Sequence, residues 1–538
     1  MVDSYPILTL VPPLLAITLA IATRKVLLSL GLGVVAAAVL VAGFNPIEAL
    51  TTAAGTFADQ VWTEEGLNTT KVYIVIFTFA LGLIATFIMM SGGTKAFADW
   101  AQTRISTRRG AAILPAGLGA SIFVDDYFNA LAVGQVSRPV TDRYRISRAK
   151  LTYLVDSTSA PVAVLVPFSS WGAFILGLFA PIIAESSLEV SDIGGFLQAA
   201  AANYYAWAAL AMVALAVATR LDLGPMRTEE RRALTSGDCY DTDEEIPGKL
   251  SADLPMHAPG QKRALIVPFA LLTLGVLGGI VQTGRSAAES WSIVEIMANT
   301  DVTLSLIYGA VLGLASALYY YVRYTAENPK FGAETFGRGV KEGLSSMLPA
   351  VAILTLAWVL ADLIETLGTG EYLGSLVEGS GISAAWLVPV IFLLAGAMAF
   401  STGTSWGSFG LLLPIAGGIV NSLDAPELLL PALGAVLAGA VAGDHASPIS
   451  DTTILSSTGA GCNVITHVNT QLPYALTAVT AALLGYITLA LVGSTSLGLL
   501  VTFASVLLFA VIARTVLDPV VPDEEMPSSY APQETADA

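Results

Sequence analysis

The sequence predicts an all-α polytopic membrane protein with about 11 transmembrane helices and two re-entrant hairpins. Hydrophobic residues make up 54% of the 538 residues and charged residues only 12%. A soluble protein of this size could not bury so much apolar surface. Apolar stretches of about 20 residues, enough to cross roughly 30 Å of hydrocarbon, recur along the whole chain. Basic residues gather in a few of the intervening loops, which gives these stretches an orientation.

The loops between the apolar stretches alternate in charge. Lys and Arg cluster at 24–25, 95–109, 138–150, 220–263 and 323–341, and the loops between these clusters are acidic. Because basic loops stay in the cytoplasm, the alternation places the N-terminus outside the plasma membrane and the C-terminus inside. The predicted spans lie near residues 5–23, 26–44, 72–91, 151–180, 196–219, 264–283, 303–322, 345–366, 428–462, 473–493 and 495–514.

Two apolar segments break this alternation. Residues 111–136 have basic loops on both sides, and residues 383–422 have acidic loops on both sides. Each segment therefore has to enter and leave by one face of the membrane, as a re-entrant hairpin does. Non-helical backbone at that depth is stable only where protein buries it or water reaches it.

Each predicted hairpin is followed by a span with the same polar pattern. Residues 151–180 and 428–462 both contain an Asp, then a Pro, then Ser-Ser-x-Gly. One span runs outward and the other inward, which is the pattern of an inverted repeat. Secondary transporters with inverted repeats place their substrate site near mid-membrane, between broken helices. The sequence therefore predicts an inverted-repeat secondary transporter.

The repeat pattern divides the chain into six parts. These are N-terminal transmembrane helices with an outer loop (1–71), a first repeat (72–219), an acidic cytoplasmic loop (220–263), connecting transmembrane helices (264–344), a second repeat (345–517) and a disordered acidic tail (518–538). The first repeat contains a hairpin (111–136) and a broken helix (151–180). The second repeat contains a hairpin (383–422) and a broken helix (428–462).

Carboxylates occupy the predicted hairpins and broken helices. They are Asp125, Asp126, Asp156, Asp444 and Asp451. A charged side chain at a helix centre opposes insertion by about 2.5–3.5 kcal/mol, so these groups need partners, protons or bound cations. No Lys or Arg lies within these four segments. A structural ion pair is therefore the poorer explanation, unless a basic residue reaches in from elsewhere.

Hydroxyl oxygens and proline-freed carbonyls surround these acids in the sequence. Pro161 and Pro448 lack an N–H, which we expect to free the carbonyls of Ser157 and Asp444. Carboxylate, hydroxyl and carbonyl oxygens are the ligands that a small hard cation such as Na⁺ prefers. The plainer interpretation is that the Ser and Thr hydroxyls bond to the preceding helical turn. A site that holds either Na⁺ or H⁺, but not both, would suffice for exchange.

Three motifs resemble those of the NhaC family of Na⁺/H⁺ antiporters. They are FVDDYFNALAVGQVSRPVTDRYRISRAKLTYLVDSTSAPVAVLVPFSSWGAF, STGTSWGSFGLLLPIAGG and GDHASPISDTTILSSTGAGC…HVNTQLPYAL. The resemblance spans roughly residues 70–490. It implies a transporter of the ion-transporter superfamily, with no enzymatic activity and no cofactor, that carries Na⁺ and H⁺ across the lipid bilayer. Li⁺ as a further cargo and a homodimeric assembly stay open.

The resemblance and the polar pattern together give a set of candidate ion- or substrate-binding residues. They are Asp125, Asp126, Asn129, Asp156, Ser157, Thr158, Ser169, Thr402, Thr404, Ser405, Asp444, His445, Ser447, Asp451 and Thr452. Among them, Asp156, Asp444 and Asp451 are the predicted Na⁺ ligands.

The sequence departs from the family at one place. After Cys462 the family often shows Asp-His…Asp-His-Val, whereas Asn463, Val464 and Thr466 precede His467 here. Proton traffic and cargo choice are therefore open. The alternative function is Na⁺-coupled transport or exchange of an amino acid or a small carboxylate such as malate or lactate. A third hypothesis, an intramembrane protease using Ser405 and His445, lacks an identifiable orienting residue.

Net charge indicates the habitat. The 42 acidic and 25 basic residues give a formal charge of −17. Such acidic, lysine-poor loops keep a surface soluble at high salt, which indicates a halophilic prokaryote. No nucleic-acid partner is expected.

Overall fold

The computed structural model describes residues 5–520, except for residues 24, 65, 124, 242–253, 288–290, 292–295, 297–298, 381–382 and 449. Nearly all of the described chain is helical. Besides helices and loops, the described residues include a short antiparallel pair of strands, β1 (Trp62–Thr63) and β2 (Gly66–Leu67). The prediction of an all-α fold is confirmed.

The N-terminal part contains five helices. After a 3-10 turn (Pro6–Leu10) they are α1 (Val11–Thr23), α2 (Val26–Val41), α3 (Pro46–Asp59), α4 (Thr69–Met90) and α5 (Gly93–Gln102). Asparagine side chains begin two of them. The side chain of Asn45 accepts from the Ile47 and Glu48 amides at the start of α3, and that of Asn68 accepts from the Lys71 amide at the start of α4. These bonds satisfy amides that have no partner inside the helix.

The rest of the predicted first repeat (72–219), after α4 and α5, contains the predicted hairpin and broken helix. Its helices are α6 (Arg108–Ser121), α7 (Asp126–Arg143), α8 (Arg148–Ala163), α9 (Ser170–Ala184), α10 (Asp192–Ala201) and α11 (Tyr204–Thr219). The two ends of the hairpin meet, because the Arg108 guanidinium donates to the carbonyls of Tyr144 (3.2 Å) and Arg145 (3.4 Å). The α6–α7 unit therefore begins and ends at one end of the bundle. Residues 164–169 separate α8 from α9, just after Pro161.

The predicted cytoplasmic loop contains a helix, α12 (Pro225–Thr235). Glu230 of α12 is fully buried, accepts from the Ser147 amide (2.7 Å), and pairs with Arg108 and with Lys150 (3.6 Å). Lys150 also pairs with Asp222 at 2.6 Å. This network ties the loop to the base of the first hairpin and to α8.

The connecting part and the second repeat complete the chain. Their helices are α13 (Arg263–Ala287), α14 (Val302–Thr325), α15 (Ala333–Thr366), α16 (Thr369–Ser380), α17 (Leu387–Thr402), α18 (Ser405–Ser422), α19 (Pro426–Ala446), α20 (Asp451–Ala460), α21 (Val464–Val492) and α22 (Thr495–Val516), with 3-10 turns at Pro329–Phe331 and Ala384–Trp386. The arms α17 and α18 form the second hairpin, and residues 447–450 interrupt the helix between α19 and α20. Of the predicted disordered tail, residues 521–538 lie outside the described residues.

Eight helices of the described chain are long and apolar enough to cross a membrane, judged by length and composition. Seven coincide with predicted spans, and the eighth, Ala384–Thr402, contains the first arm of the second hairpin. The pair α10–α11, bent by 55°, makes a ninth if it is one span. Predicted spans near 5–23, 26–44 and 151–180 correspond to shorter apolar helices, so the number eleven is not confirmed.

The two repeats touch closely along α7 and α20. A Cβ atom added to Gly134 of α7 would lie 2.5 Å from the carbonyl carbon of Gly459 in α20, so the backbones can approach this closely only because Gly134 lacks a side chain. Trp171 of α9 packs against Trp406 of α18, with ring centroids 5.4 Å apart. These contacts bring both hairpin tips and both helix interruptions to one central region.

Candidate functional site

Asp444 lies at the end of α19, where the second hairpin tip meets the helix interruption. Its Oδ2 accepts from the Ser405 amide (3.2 Å) and from the Ser405 hydroxyl (2.8 Å). Its Oδ1 accepts from the Ser450 hydroxyl at 2.5 Å. The carboxylate is 1% exposed. Two hydroxyls and the first amide of α18 therefore hold it.

The predicted effect of Pro448 on the Asp444 carbonyl differs from what the structure shows. The carbonyl of Asp444 was expected to be freed by Pro448, but it accepts from the Ser447 amide at 3.0 Å. A tight turn replaces the helical bond. The Ser447 hydroxyl donates to the Phe400 carbonyl at 2.8 Å and so ties the interruption to the hairpin.

Asp451 begins α20 and connects the two repeats. It accepts a hydrogen bond from the hydroxyl of Tyr127, which belongs to the first hairpin. Its amide faces the Gly403 carbonyl at 3.4 Å, and its Oδ1 accepts from the amide of Thr452 at 2.8 Å. The Thr452 hydroxyl in turn lies 2.8 Å from that of Ser450. Asp451 thus joins both hairpin tips.

Asp156 lies in the middle of α8 and is held from the other repeat. Its Oδ2 accepts from the Gln471 side-chain amide (2.7 Å) and lies 3.2 Å from Nε2 of His467. Its Oδ1 accepts from the Ser456 hydroxyl at 3.0 Å. The Nε2 atom of His445 lies farther away, 3.6 Å from the same Oδ2. Four groups of α19, α20 and α21 therefore converge on one buried carboxylate.

His445 connects α19 to α8 and α11. Its Nε2 lies 3.0 Å from the Ser157 hydroxyl, and its Nδ1 lies 2.6 Å from the hydroxyl of Tyr205. Ser405 instead donates to Asp444 and to the Ala440 carbonyl. Both ring nitrogens of His445 thus face other hydroxyls, and the Ser405–His445 pair of the protease hypothesis is not formed.

The first hairpin tip carries two further carboxylates. Asp125 accepts from the Ser170 hydroxyl at 3.0 Å, and Asp126 accepts from the Trp171 indole N–H at 2.7 Å. Both donors lie in the first turn of α9, just after the interruption. The Asn129 side-chain amide donates to the carbonyls of Gly119 (2.7 Å) and Ile122 (2.8 Å), which closes the hairpin turn. The tip-to-interruption contact of the second repeat therefore recurs in the first.

Several buried oxygens of the site have no hydrogen-bond partner among the described residues. They are Oδ2 of Asp126, Oδ1 of Asn129, Oε1 of Gln471, and the hydroxyls of Thr453 and Ser457. Buried polar atoms are rarely left unsatisfied in proteins. These acceptors suit a cation, a proton or a water molecule.

Other predicted site residues use their hydroxyls locally. Thr158 donates to the Leu154 carbonyl (2.7 Å), Ser169 to the Ala163 carbonyl (2.7 Å), and Thr402 to the Met398 carbonyl (3.0 Å). The carbonyl of Thr404 accepts from the Ser408 hydroxyl at 3.4 Å. At Thr158, Ser169 and Thr402 the plainer interpretation, in which the hydroxyl bonds to nearby main chain, describes the structure.

The final set of candidate residues omits several side chains that the fold brings to the acids. They are Tyr127, Trp171, Tyr205, Ser456, His467 and Gln471. A signal existed for two of them, since His467 and Gln471 are four residues apart and lie on one face of α21. Which partner that face would meet could not be read from the sequence.

The site is dominated by carboxylates, with two histidine rings beside Asp156. Among the described residues, Lys and Arg form no ion pair with Asp126, Asp156, Asp444 or Asp451; their ion pairs involve other acids, such as Glu230 and Asp222. The described residues also contain no group of three or more His, Cys, Asp or Glu side chains arranged to hold a metal ion. Na⁺ binding at Asp156, Asp444 and Asp451 stays a prediction, and it would need hydroxyl or carbonyl oxygens as further ligands.

Comparison with known proteins assigns the chain to a family. The model of the Na⁺/H⁺ antiporter family matches residues 162–491, which is more than half of the chain. The chain belongs to the Na⁺/H⁺ antiporter family. The resemblance to the NhaC family that the motifs indicated is thereby confirmed. The protein is therefore a multi-pass membrane protein and a secondary antiporter.

Among the curated relatives of this chain, those whose names state a cargo differ in that cargo. An uncharacterized protein of Haemophilus influenzae is 41% identical over 519 residues, covering 95% of this chain and 96% of the relative. The malate-2H⁺/Na⁺-lactate antiporter of Bacillus subtilis is 32% identical, over 28% of this chain and 31% of that protein. The Na⁺/H⁺ antiporter NhaC of Alkalihalophilus pseudofirmus is 27% identical, over 38% of this chain and 39% of that protein.

Proposed function

We propose that this antiporter exchanges cytoplasmic Na⁺ for external H⁺ by alternating access. The observation that carries the proposal is a group of buried or half-buried carboxylates at the junction of the two predicted repeats. Among the described residues, Asp126, Asp156, Asp444 and Asp451 form no ion pair with Lys or Arg. Uncompensated charge inside a membrane is expensive and is retained at functional sites. A transported cation or proton supplies the missing compensation.

The donors around Asp444 suit exchange of this kind. Hydroxyl groups can donate to a carboxylate, and after rotation they can present an oxygen to a cation. The hydroxyls of Ser405 and Ser450 both donate to Asp444 in the present arrangement. When Na⁺ enters, we expect these hydroxyls to turn their oxygens toward it, and a proton on the carboxylate leaves. Binding of the two cargo ions is then mutually exclusive.

The location of the site supports alternating access. Asp156 is bound by groups of the second repeat, and Asp451 by Tyr127 of the first. Movement of one repeat against the other would therefore change the ligands of both carboxylates. In inverted-repeat transporters such movement exposes a mid-membrane site to each side in turn.

The alternative is Na⁺-coupled exchange of an amino acid or a small carboxylate, and the name of the Bacillus subtilis relative favours it. An organic carboxylate would bind at the N-terminus of a half-helix. At α18 the Ser405 amide already donates to Asp444, so such a cargo would compete with the protein's own carboxylate. The inorganic exchange is therefore the function that we propose first.

Reconstitution into liposomes separates the two functions. A pH-sensitive dye inside proteoliposomes reports proton movement when Na⁺ is added alone, and then with malate, lactate or an amino acid. We expect movement with Na⁺ alone and no further increase with the organic solutes. Proton movement that requires an organic solute would reject the first function and establish the second.

A further inference from the structure

A cavity of about 600 Å³ lies away from the carboxylates, at one end of the bundle. It is bounded by the beginning of α6 and by the ends of α11 and α22. Its residues are Arg109, Leu215, Ala218, Thr219, Arg220, Leu507, Ala510, Val511, Arg514, Thr515 and Pro519. All three helix ends lie on the face that the basic loops predict to be cytoplasmic.

The cavity concentrates positive charge in a strongly acidic protein. Three of its lining residues are arginines and none of the described lining residues is an acid, although the whole chain has a formal charge of −17. Each arginine comes from a different helix. Arg109 is in the first turn of α6, Arg220 follows the last residue of α11, and Arg514 is in the last turn of α22.

The local backbone fixes two of these arginines at the cavity. Arg220 is the C-cap of α11 and has a left-handed conformation, with φ of 54°, which turns the chain away at the helix end. The Arg514 guanidinium donates to the Leu517 carbonyl at 3.0 Å. The remaining donors of the Arg514 fork suit an oxyanion.

Apart from Thr219 and Thr515 near the arginines, the cavity wall is apolar and extends toward the membrane interior. Leu215 and Ala218 lie on α11, and Leu507, Ala510 and Val511 lie on α22. Leu507 and Val511 are 54% and 53% exposed. A site for a free inorganic anion would have no use for this wall, whereas a lipid would place an acyl chain along it.

We propose that this cavity binds one anionic phospholipid of the inner leaflet. The headgroup phosphate lies between the guanidinium groups of Arg109 and Arg514, with Arg220 in the adjoining cavity wall, and an acyl chain follows the groove between α11 and α22. Basic pockets between transmembrane helices on the cytoplasmic side suit such headgroups. The proposal is independent of which cargo the antiporter carries.

Native mass spectrometry of the purified full chain in detergent tests the proposal. The protein is titrated with phosphatidylglycerol and, separately, with phosphatidylcholine of the same acyl chains. The variant R109Q/R514Q removes two of the arginines. The variant R104Q/R323Q removes the same charge from exposed positions on the same predicted face and is the control.

We expect phosphatidylglycerol to bind the wild type and the control more tightly than phosphatidylcholine. The R109Q/R514Q variant should bind phosphatidylglycerol about 25-fold more weakly, since each Arg near an anionic headgroup contributes about fivefold. Equal binding of the two lipids, or equal binding of phosphatidylglycerol by the two variants, would overturn the proposal. Displacement of the lipid by millimolar inorganic phosphate would overturn it as well, because the cavity would then be a site for a soluble anion.

Discussion

Asp444 and Asp156 are held by two different kinds of donor. The side chains that contact Asp444 are hydroxyls, whereas Asp156 is contacted mainly by nitrogen groups of Gln471 and His467. A hydroxyl can turn and coordinate a cation, but a side-chain amide N–H cannot. We therefore expect Asp444 to be the stronger Na⁺ ligand of the two.

This difference predicts the effect of removing one hydroxyl. Ser405→Ala deletes a donor to Asp444 and the oxygen that could coordinate Na⁺, so the half-saturating Na⁺ concentration should rise about tenfold or more, as for loss of a hydrogen bond to a charged group. Transport rates in proteoliposomes at varied Na⁺ measure it. Ser401→Ala, which deletes a hydroxyl that among the described residues bonds only to the Ala397 carbonyl in the same hairpin, is the control. An unchanged half-saturating concentration in Ser405→Ala would remove Ser405 from the ion site.

At the scale of elements, the contact of α7 with α20 sets the distance between the repeats. A methyl group at Gly134 would meet the backbone of Gly459 and Ala460, at 2.5 Å and 2.7 Å, which cannot give way as a flexible side chain can. Gly134→Ala should therefore force the helices apart, destabilise the fold by about 1–3 kcal/mol, and slow transport. Thermal unfolding in detergent measures the first effect.

The matched control is a glycine in the other arm of the same hairpin. A methyl group at Gly117 would meet nothing within 4 Å, and alanine favours a helix over glycine by up to about 1 kcal/mol. Gly117→Ala should leave the melting temperature unchanged or raise it. If both variants behaved alike, close contact of α7 and α20 would not be a determinant of the structure.

The docking of α12 depends on one buried acid outside the membrane spans. Burial opposes ionisation of Glu230, but the charges of Lys150 and Arg108 outweigh it and lower the pKa of Glu230 from its ordinary 4.5 to about 2. An acid with a lowered pKa contributes stability above its unfolded-state pKa and loses it as the pH falls through its folded-state pKa. This contribution is therefore complete above about pH 4.5 and disappears toward pH 2.

Glu230→Gln removes the shared partner of Lys150 and Arg108. We expect it to lower the free energy of unfolding by about 3–5 kcal/mol near neutral pH, as when one member of a buried pair is removed. The difference from wild type should shrink as the pH falls from 4.5 toward 2. Melting temperatures across this range measure it, with Glu327→Gln, an exposed acid, as the control. A difference that did not change with pH would show that the charge of Glu230 does not anchor α12.

At the scale of the whole molecule, the sequence predicted the helical membrane fold better than the contents of the site. Charge alternation predicts both hairpins as re-entrant segments, because a segment with like-charged loops on both sides has to leave by the face it entered. Both segments are helical hairpins in the structure, and their re-entrance stays a prediction. The paired Asp-Pro patterns located both helix interruptions. These features are local in the chain, so spacing alone reveals them.

The ligands of the carboxylates are not local. Gln471 and Asp156 are 315 residues apart, and Tyr127 and Asp451 are 324 apart. Their meeting depends on how the two repeats pack, which no hydropathy pattern encodes. Conversely, hydroxyls such as those of Thr158 and Thr402 are close in sequence to the acids but bond to their own helices.

The most direct test replaces Asp156 and Asp444, two carboxylates of the site that are each 1% exposed, without changing their shape. Wild type, Asp156→Asn, Asp444→Asn and the exposed control Asp99→Asn are reconstituted into liposomes, and Na⁺-driven proton movement is recorded with an internal pH dye. We predict that the control exchanges at the wild-type rate, while each of the other two variants inserts normally and shows no coupled exchange. Wild-type exchange by both Asp156→Asn and Asp444→Asn would contradict the account.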